Sequence, residues 1–328
     1  RAAEILGPKH DYYKDLKSYQ YLFEGYLMQL SMRSLESKAE KFKKQTLYRQ
    51  ALQLQPRNAL AALFLSNQFA TDYQNLDSCT YYHNYAKALK PIWVIPRAYY
   101  AYMLCNYFEE YDLAKGVIDE GLKLDSINTT LIKSLGAYYF YKEDFLQALS
   151  VYQGLLQIDS TDYFNYYNLA VAYQKNNHFE QARYFFGRSI ELNPKQTSAY
   201  NGLGWLLYEN KVYADAERMY LKGLANNPKM FVIHSWLVLL YLDQKKFAEA
   251  EKHIQAIKLL NEEDWRVPFY HAAISAIKRQ DKLALSLLEA SFKKGFTDFE
   301  LLDKVAYFKH MNENETYKKL INEYSTDK

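Results

Sequence analysis

Seven histidines, two cysteines and scattered pairs of carboxylates are the groups in this 328-residue chain with the chemistry to ligate a metal or move a proton. Their spacing assembles no centre. There is no His-Glu-x-x-His and no paired-cysteine run of the kind a zinc ion requires. His10, His83, His178, His234, His253, His271 and His310 stand apart; His178 falls in a turn, and His234 and His271 take positions that are otherwise apolar. Cys79 and Cys105 read as small core residues rather than a disulfide or a ligand pair. The pair Gly202-x-Gly204 follows no strand, so it reads as two packing glycines and not as a phosphate loop. Glu109-Glu110 and Glu262-Glu263 fall at turns and read as solvent-facing or capping groups. Asn128-Thr129-Thr130 and Asn314-Glu315-Thr316 match a glycosylation acceptor pattern that matters only in a secreted eukaryotic protein. No cofactor, metal or catalytic residue is expected.

The elements that carry these groups are periodic. Ala114, Ala148, Ala182, Ala216, Ala250 and Ala284 lie 34 residues apart. An aromatic stands three positions before five of them: Tyr111, Phe145, Phe179, Tyr213 and Phe247. Four positions after come Ile118, Tyr152, Phe186, Tyr220, Ile254 and Leu288; twelve before come Tyr102, Gly136, Ala170, Gly204, Val238 and Ala272, mostly small. Cys79 takes the alanine slot of an earlier unit. Apolar residues at helical spacing mark two amphipathic helices of roughly 12–14 residues per unit, joined by a polar turn such as Lys175-Asn176-Asn177-His178. Small residues let the paired helices approach, and rings fill the wedge between one pair and the next. A single pair cannot bury its apolar face, so neighbours must stack.

The register resembles the tetratricopeptide repeat, with Tyr166, Leu169, Ala170, Tyr173, Ala182, Phe186 and Pro194 as the best copy and about 95–298 as the span of good agreement. The resemblance implies an all-α fold, an α-solenoid superhelix of seven to eight helix-turn-helix pairs plus a C-terminal capping helix. The boundaries read as one continuous solenoid over 1–328. An atypical N-terminal pair covers 1–59, with a long first helix around Tyr19–Leu35 that carries Leu22, Tyr26, Leu27 and Leu30. Repeats lie near 60–94, 95–128, 129–162, 163–196, 197–230, 231–264 and 265–298, followed by a cap over 299–328 in which Tyr317, Leu320, Ile321 and Tyr324 fall at helical spacing.

Composition narrows the function. The 41 basic and 38 acidic residues nearly balance, without the concentrated basic face expected of a nucleic-acid binder. No apolar run approaches a membrane span. The chain begins at Arg1 and shows no signal-peptide pattern, which leaves the compartment open. The resemblance implies a non-enzymatic scaffold whose first helices line a concave groove for a partner peptide or protein. The residues it places there are Tyr99, Tyr100, Tyr107, Lys133, Tyr141, Tyr167, Asn168, Asn201, Trp205, Tyr208, Trp236 and Tyr270. Rings supply contact area at low entropy cost, and amides can pair with a ligand backbone. The five-residue carboxylate clamp with which such domains grip the acidic tails of heat-shock chaperones is not met: Lys133 and Asn168 fit, but Ala137, Ser198 and Gly202 occupy the other places. Self-association within a larger assembly, and a regulatory or sensory module of a larger protein, are the alternatives.

Overall fold

The computed structural model describes residues 11–31 and 38–325. The described residues form helices and connecting turns, grouped in two compact units, Arg1–Pro194 and Lys195–Lys328.

In the first unit five helix pairs follow one another: α1 (Asp11–Ser31) with α2 (Lys38–Leu54), α3 (Ala59–Thr71) with α4 (Leu76–Leu89), α5 (Ile95–Met103) with α6 (Tyr111–Leu124), α7 (Thr129–Tyr141) with α8 (Phe145–Ile158), and α9 (Tyr163–Lys175) with α10 (Phe179–Leu192). The second unit holds α11 (Thr197–Glu209) with α12 (Tyr213–Asn226), α13 (Phe231–Asp243) with α14 (Phe247–Leu260), and α15 (Arg266–Ile277) with α16 (Asp281–Lys293). It closes with α17 (Phe299–Lys304), a 3-10 segment Ala306–Met311 and α18 (Glu315–Ser325). The architecture is the expected all-α solenoid of stacked pairs. The long first helix is already formed at Asp11, before its apolar spacing begins; residues 32–35 of that expectation, the Leu30 side chain and His10 lie outside what the structure describes.

The alanine series explains the packing. All six alanines, and Cys79 in the equivalent slot, are wholly buried. Both cysteines are free, and burial pushes the Cys79 thiol up to about 11 and Cys105 up to about 12, so neither is a thiolate near neutrality. The small residue of each first helix is matched in size to the large residue of its second helix. Glycine stands where the partner is tyrosine (Gly136 with Tyr152, Gly204 with Tyr220), alanine where it is Phe186 or Leu288, and valine where it is Ile254. A Cβ added at Gly204 would stand 2.5 Å from Tyr220 Cε1, and one at Gly136 would stand 2.7 Å from Tyr152 Cζ. Tyr102 breaks this rule. Too large for the slot, it remains 37% exposed.

The turn between the helices of a pair is also a copied object. Gln74, Glu109, Glu143, Asn177, Lys211, Lys245 and Arg279 each adopt a left-handed φ of 47–61°. From Glu109 onward these positions are 34 residues apart. In each of these repeats one non-glycine residue carries the backbone strain that reverses the chain. Side chains cap many of the helices: Asn58, Asn75, Asn128, Asp144 and Asp162 each accept a hydrogen bond from the first turn that follows. Asn128 and Asn314, the two glycosylation matches, are both engaged as such acceptors.

A candidate ligand pocket on the first helices

Successive first helices repeat the same surface positions, so one residue of α5 has counterparts 34 and 68 places on. Tyr99, Lys133 and Tyr167 form one such row, and Tyr100, Ser134 and Asn168 the next. In the first unit α5, α7 and α9 bring parts of these rows together around a cavity of about 500 Å³. Five of the twelve residues read from the sequence line it: Tyr99, Lys133, Tyr141, Tyr167 and Asn168.

Packing against neighbouring helices sets the remaining walls. Ser134 is buried and donates to the Ala98 carbonyl at 2.9 Å, which ties α7 to α5 across the cavity floor. Tyr152, from the second helix α8, reaches the cavity because Gly136 leaves no side chain in its path. Tyr102, excluded from the helix contact by its bulk, lies against Tyr141 with ring centres 6.3 Å apart. The end of α5 is a π-helical turn, Leu104–Phe108, of a kind that often marks functional sites. It presents Asn106, whose side-chain oxygen accepts the Tyr141 hydroxyl. Phe140 and the 46%-exposed Phe164 complete an aromatic rim.

The electrostatics of the pocket are those of neutral hydroxyls. Burial, and then the neighbouring Tyr102 phenol, raise Tyr141, Tyr152 and Tyr167 above the ordinary phenol range, so all three keep their protons. The one ammonium in the lining, Lys133, forms an ion pair with Asp162 at the start of α9. The lysine that a carboxylate clamp would use therefore already has a carboxylate. Such a cavity can enclose an apolar or aromatic side chain and offer it hydroxyl and amide partners at the edge. Among the described residues no group of three or more His, Cys, Asp or Glu could hold a metal ion, and no helix is long and apolar enough to cross a membrane.

The other residues read from the sequence lie elsewhere. Tyr100 is 3% exposed, stacks on His83 at 4.1 Å and shares a 2.8 Å hydrogen bond with the Thr80 hydroxyl, so it belongs to the contact between pairs. Tyr107 sits in the π turn beside the cavity without lining it. In the second unit Trp205 and Trp236 stack at 5.8 Å, and Tyr208 leans on Trp236 at 6.1 Å. Tyr270 is buried at 4% exposure, and the half-buried Asn201 keeps a side-chain oxygen with no hydrogen-bond partner among the described residues. Sequence reasoning missed Tyr102, Tyr152 and Phe164. The signal for Tyr102 was its size in a series of small residues; Tyr152 reads from the sequence as ordinary core.

A family model described as "Tetratricopeptide repeat" matches residues 163–196, one full period that includes the best-formed copy. Residues 163–196 are a tetratricopeptide repeat, one period of the 34-residue series. Solved structures bear out the fold of this repeat chain. A tetratricopeptide repeat protein from Parabacteroides merdae is 16% identical, with 75% of this chain and 96% of that one covered at a TM-score of 0.55. Human IFIT1, solved as a dimer with PPP-AAAA, is 17% identical, with 89% of this chain and 71% of that one covered at a TM-score of 0.62. At these identities the likeness is one of fold. No curated protein matches this chain.

Proposed function

We propose that this tetratricopeptide protein is a non-enzymatic interaction scaffold that holds a peptide segment of a partner protein, with an apolar or aromatic side chain of that peptide anchored in the α5–α7–α9 cavity. One observation carries the reading: first helices of three successive repeats converge on a 500 Å³ cavity walled by rings and neutral hydroxyls. Ligand pockets of this size are mostly apolar with a few placed polar groups, and buried aromatic anchors dominate peptide affinity. The Asn168 amide lies on the same lining, where it can meet a ligand backbone.

A phosphate-bearing ligand such as the PPP-AAAA of the IFIT1 structure is a poor fit, because Lys133 is the single cation of the lining and Asp162 already neutralises it. The test is selection of peptides from a random display library on the immobilised protein. Selected peptides are expected to share a large apolar or aromatic residue. Tyr99→Ala/Phe164→Ala, which removes two exposed rings, is expected to weaken them at least about tenfold with unchanged circular dichroism. Equal affinity in that variant refutes the anchor assignment.

A further inference from the structure

The turn residues that carry the left-handed backbone change character along the chain. In the first unit they are Gln74, Glu109, Glu143 and Asn177; in the second they are Lys211, Lys245 and Arg279. Two of the basic ones, Lys245 and Arg279, meet Lys309 and His310 of the 3-10 segment around a second concavity of about 430 Å³. Its floor includes Leu242, Ala276 and Ile277.

The charges of this concavity are unevenly matched. Asp281 is taken by His310, whose Nε2 lies 2.9 Å from its Oδ1. Asp243 accepts the Tyr208 hydroxyl at 2.5 Å on one oxygen and the Tyr307 hydroxyl at 2.7 Å on the other. Lys245, Arg279 and Lys309 have no ion pair and no side-chain hydrogen bond among the described residues. The carboxylates are therefore occupied and three cations are not.

We propose that this concavity is a docking site for an acidic peptide segment, one presenting several carboxylates along an extended chain. Small anions are held by converging backbone N–H groups, and the turns offer none: Lys245 N–H is spent on the Leu242 carbonyl at 3.0 Å and Arg279 N–H on the Ala276 carbonyl at 3.0 Å. Recognition falls to three long side chains drawn from three segments around an apolar floor. A nucleic acid would also require ring faces for its bases; of the two rings in the lining, Tyr307 is buried at 9% exposure and the imidazole of His310 is held by Asp281. The site shares no lining residue with the α5–α7–α9 cavity, so each reading can fail alone.

The probe is a fluorescently labelled octaglutamate peptide, with octaglutamine, inorganic phosphate and an octauridine RNA as the other arms, read by anisotropy. Octaglutamate is expected to bind and octaglutamine not. Affinity is expected to fall steeply between 0.1 M and 1 M salt, as the screening length shrinks from about 10 Å to about 3 Å. Lys245→Glu/Arg279→Glu is expected to lose at least tenfold, whereas Lys229→Glu/Lys258→Glu, an equal change of net charge at exposed sites outside the concavity, is expected to lose less than twofold. Equal loss in both variants reduces the effect to net charge and overturns the proposal. So does competition by millimolar phosphate as effective as by peptide, or tighter binding of the RNA through the same two side chains.

Discussion

Adding one methyl group at two glycines of the same helix pair should move stability in opposite directions. Gly136 lies in α7, where a Cβ would stand 2.7 Å from Tyr152 Cζ and nearer still to Cε1. An ordinary carbon contact begins near 3.4 Å, so the nearest ring atom must retreat by about an ångström. Tyr152 is 4% exposed, so any retreat disturbs either its buried packing or the wall it lends to the α5–α7–α9 cavity. Overpacking of this kind costs about 1–3 kcal/mol, and the gain in helix propensity of alanine over glycine returns at most about 1 kcal/mol. A net loss of about 1–2 kcal/mol is expected for Gly136→Ala. Gly154, in α8 of the same pair, has nothing within 4 Å of its Cβ position. Gly154→Ala should therefore keep the propensity gain and stabilise by up to about 1 kcal/mol. The repeats themselves indicate a rescue, since alanine already pairs with leucine at Ala272 and Leu288. In the cycle of Gly136→Ala with Tyr152→Leu, the double variant should be more stable than the sum of the singles by about 0.5–3 kcal/mol. Urea unfolding followed by far-UV circular dichroism measures all four proteins. The reasoning fails if Gly136→Ala is as stabilising as Gly154→Ala, or if the cycle adds to within about 0.5 kcal/mol.

Three further outcomes follow from single sites. Tyr220 is fully buried and its hydroxyl has no hydrogen-bond partner among the described residues; Tyr220→Phe, which copies Phe186, should stabilise by about 1 kcal/mol, and a lowered urea midpoint would contradict this. Lys211 holds φ near 60°, a conformation that costs an L-residue about 1 kcal/mol; Lys211→Gly should raise the midpoint, whereas Lys222→Gly inside α12 should lower it. His83 is 3% exposed, and burial, then Lys87 and Arg97, push it down to about 4. Because its folded value lies below the unfolded value of about 6.5, the unfolded chain binds the proton first. Stability is then complete above about pH 6.5 and falls as pH drops toward 4, by about 3 kcal/mol for this group alone. Titrating the urea midpoint from pH 7.5 to 4.5 tests this, and His83→Phe should flatten the profile in that window; an equally steep fall in the variant would exclude His83 as the cause.

How much of this was legible in the sequence depended on whether a position is repeated. The alanine slots, the small residue of each first helix and the large one of each second helix recur, so one copy explains the next. Cys79 could be placed in the core without a structure because its slot is an alanine elsewhere. Failures came where a copy departs from the series. The Leu104–Phe108 segment lengthens a first helix by a π turn while the 34-residue period persists, so the period cannot reveal it. Tyr100 and Tyr270 occupy positions counted to the open face, yet both are buried against the neighbouring pair. Helical spacing gives the direction of a side chain to within a fraction of a turn, and a ring at the border of two faces goes where packing is denser.

The same comparison of copies indicates where ligands should be sought. A position that obeys the size match between first and second helix is accounted for by packing and need do nothing else. The residues that break the series do so at the open places of the fold. Tyr102 puts a ring where the series has a smaller residue, is kept out of the helix contact, and so supplies one wall of the α5–α7–α9 cavity. Lys245 and Arg279 place cations on strained turn positions that are held by glutamate at Glu109 and Glu143, and they border the second concavity. Stability requires neither departure: a residue no larger than valine suits the Tyr102 slot in five other repeats, and a carboxamide serves the turn at Gln74 and Asn177. In a repeat protein, where each unit is a control for the others, a costly exception beside a cavity is better evidence of a binding role than an aromatic face counted along a helix.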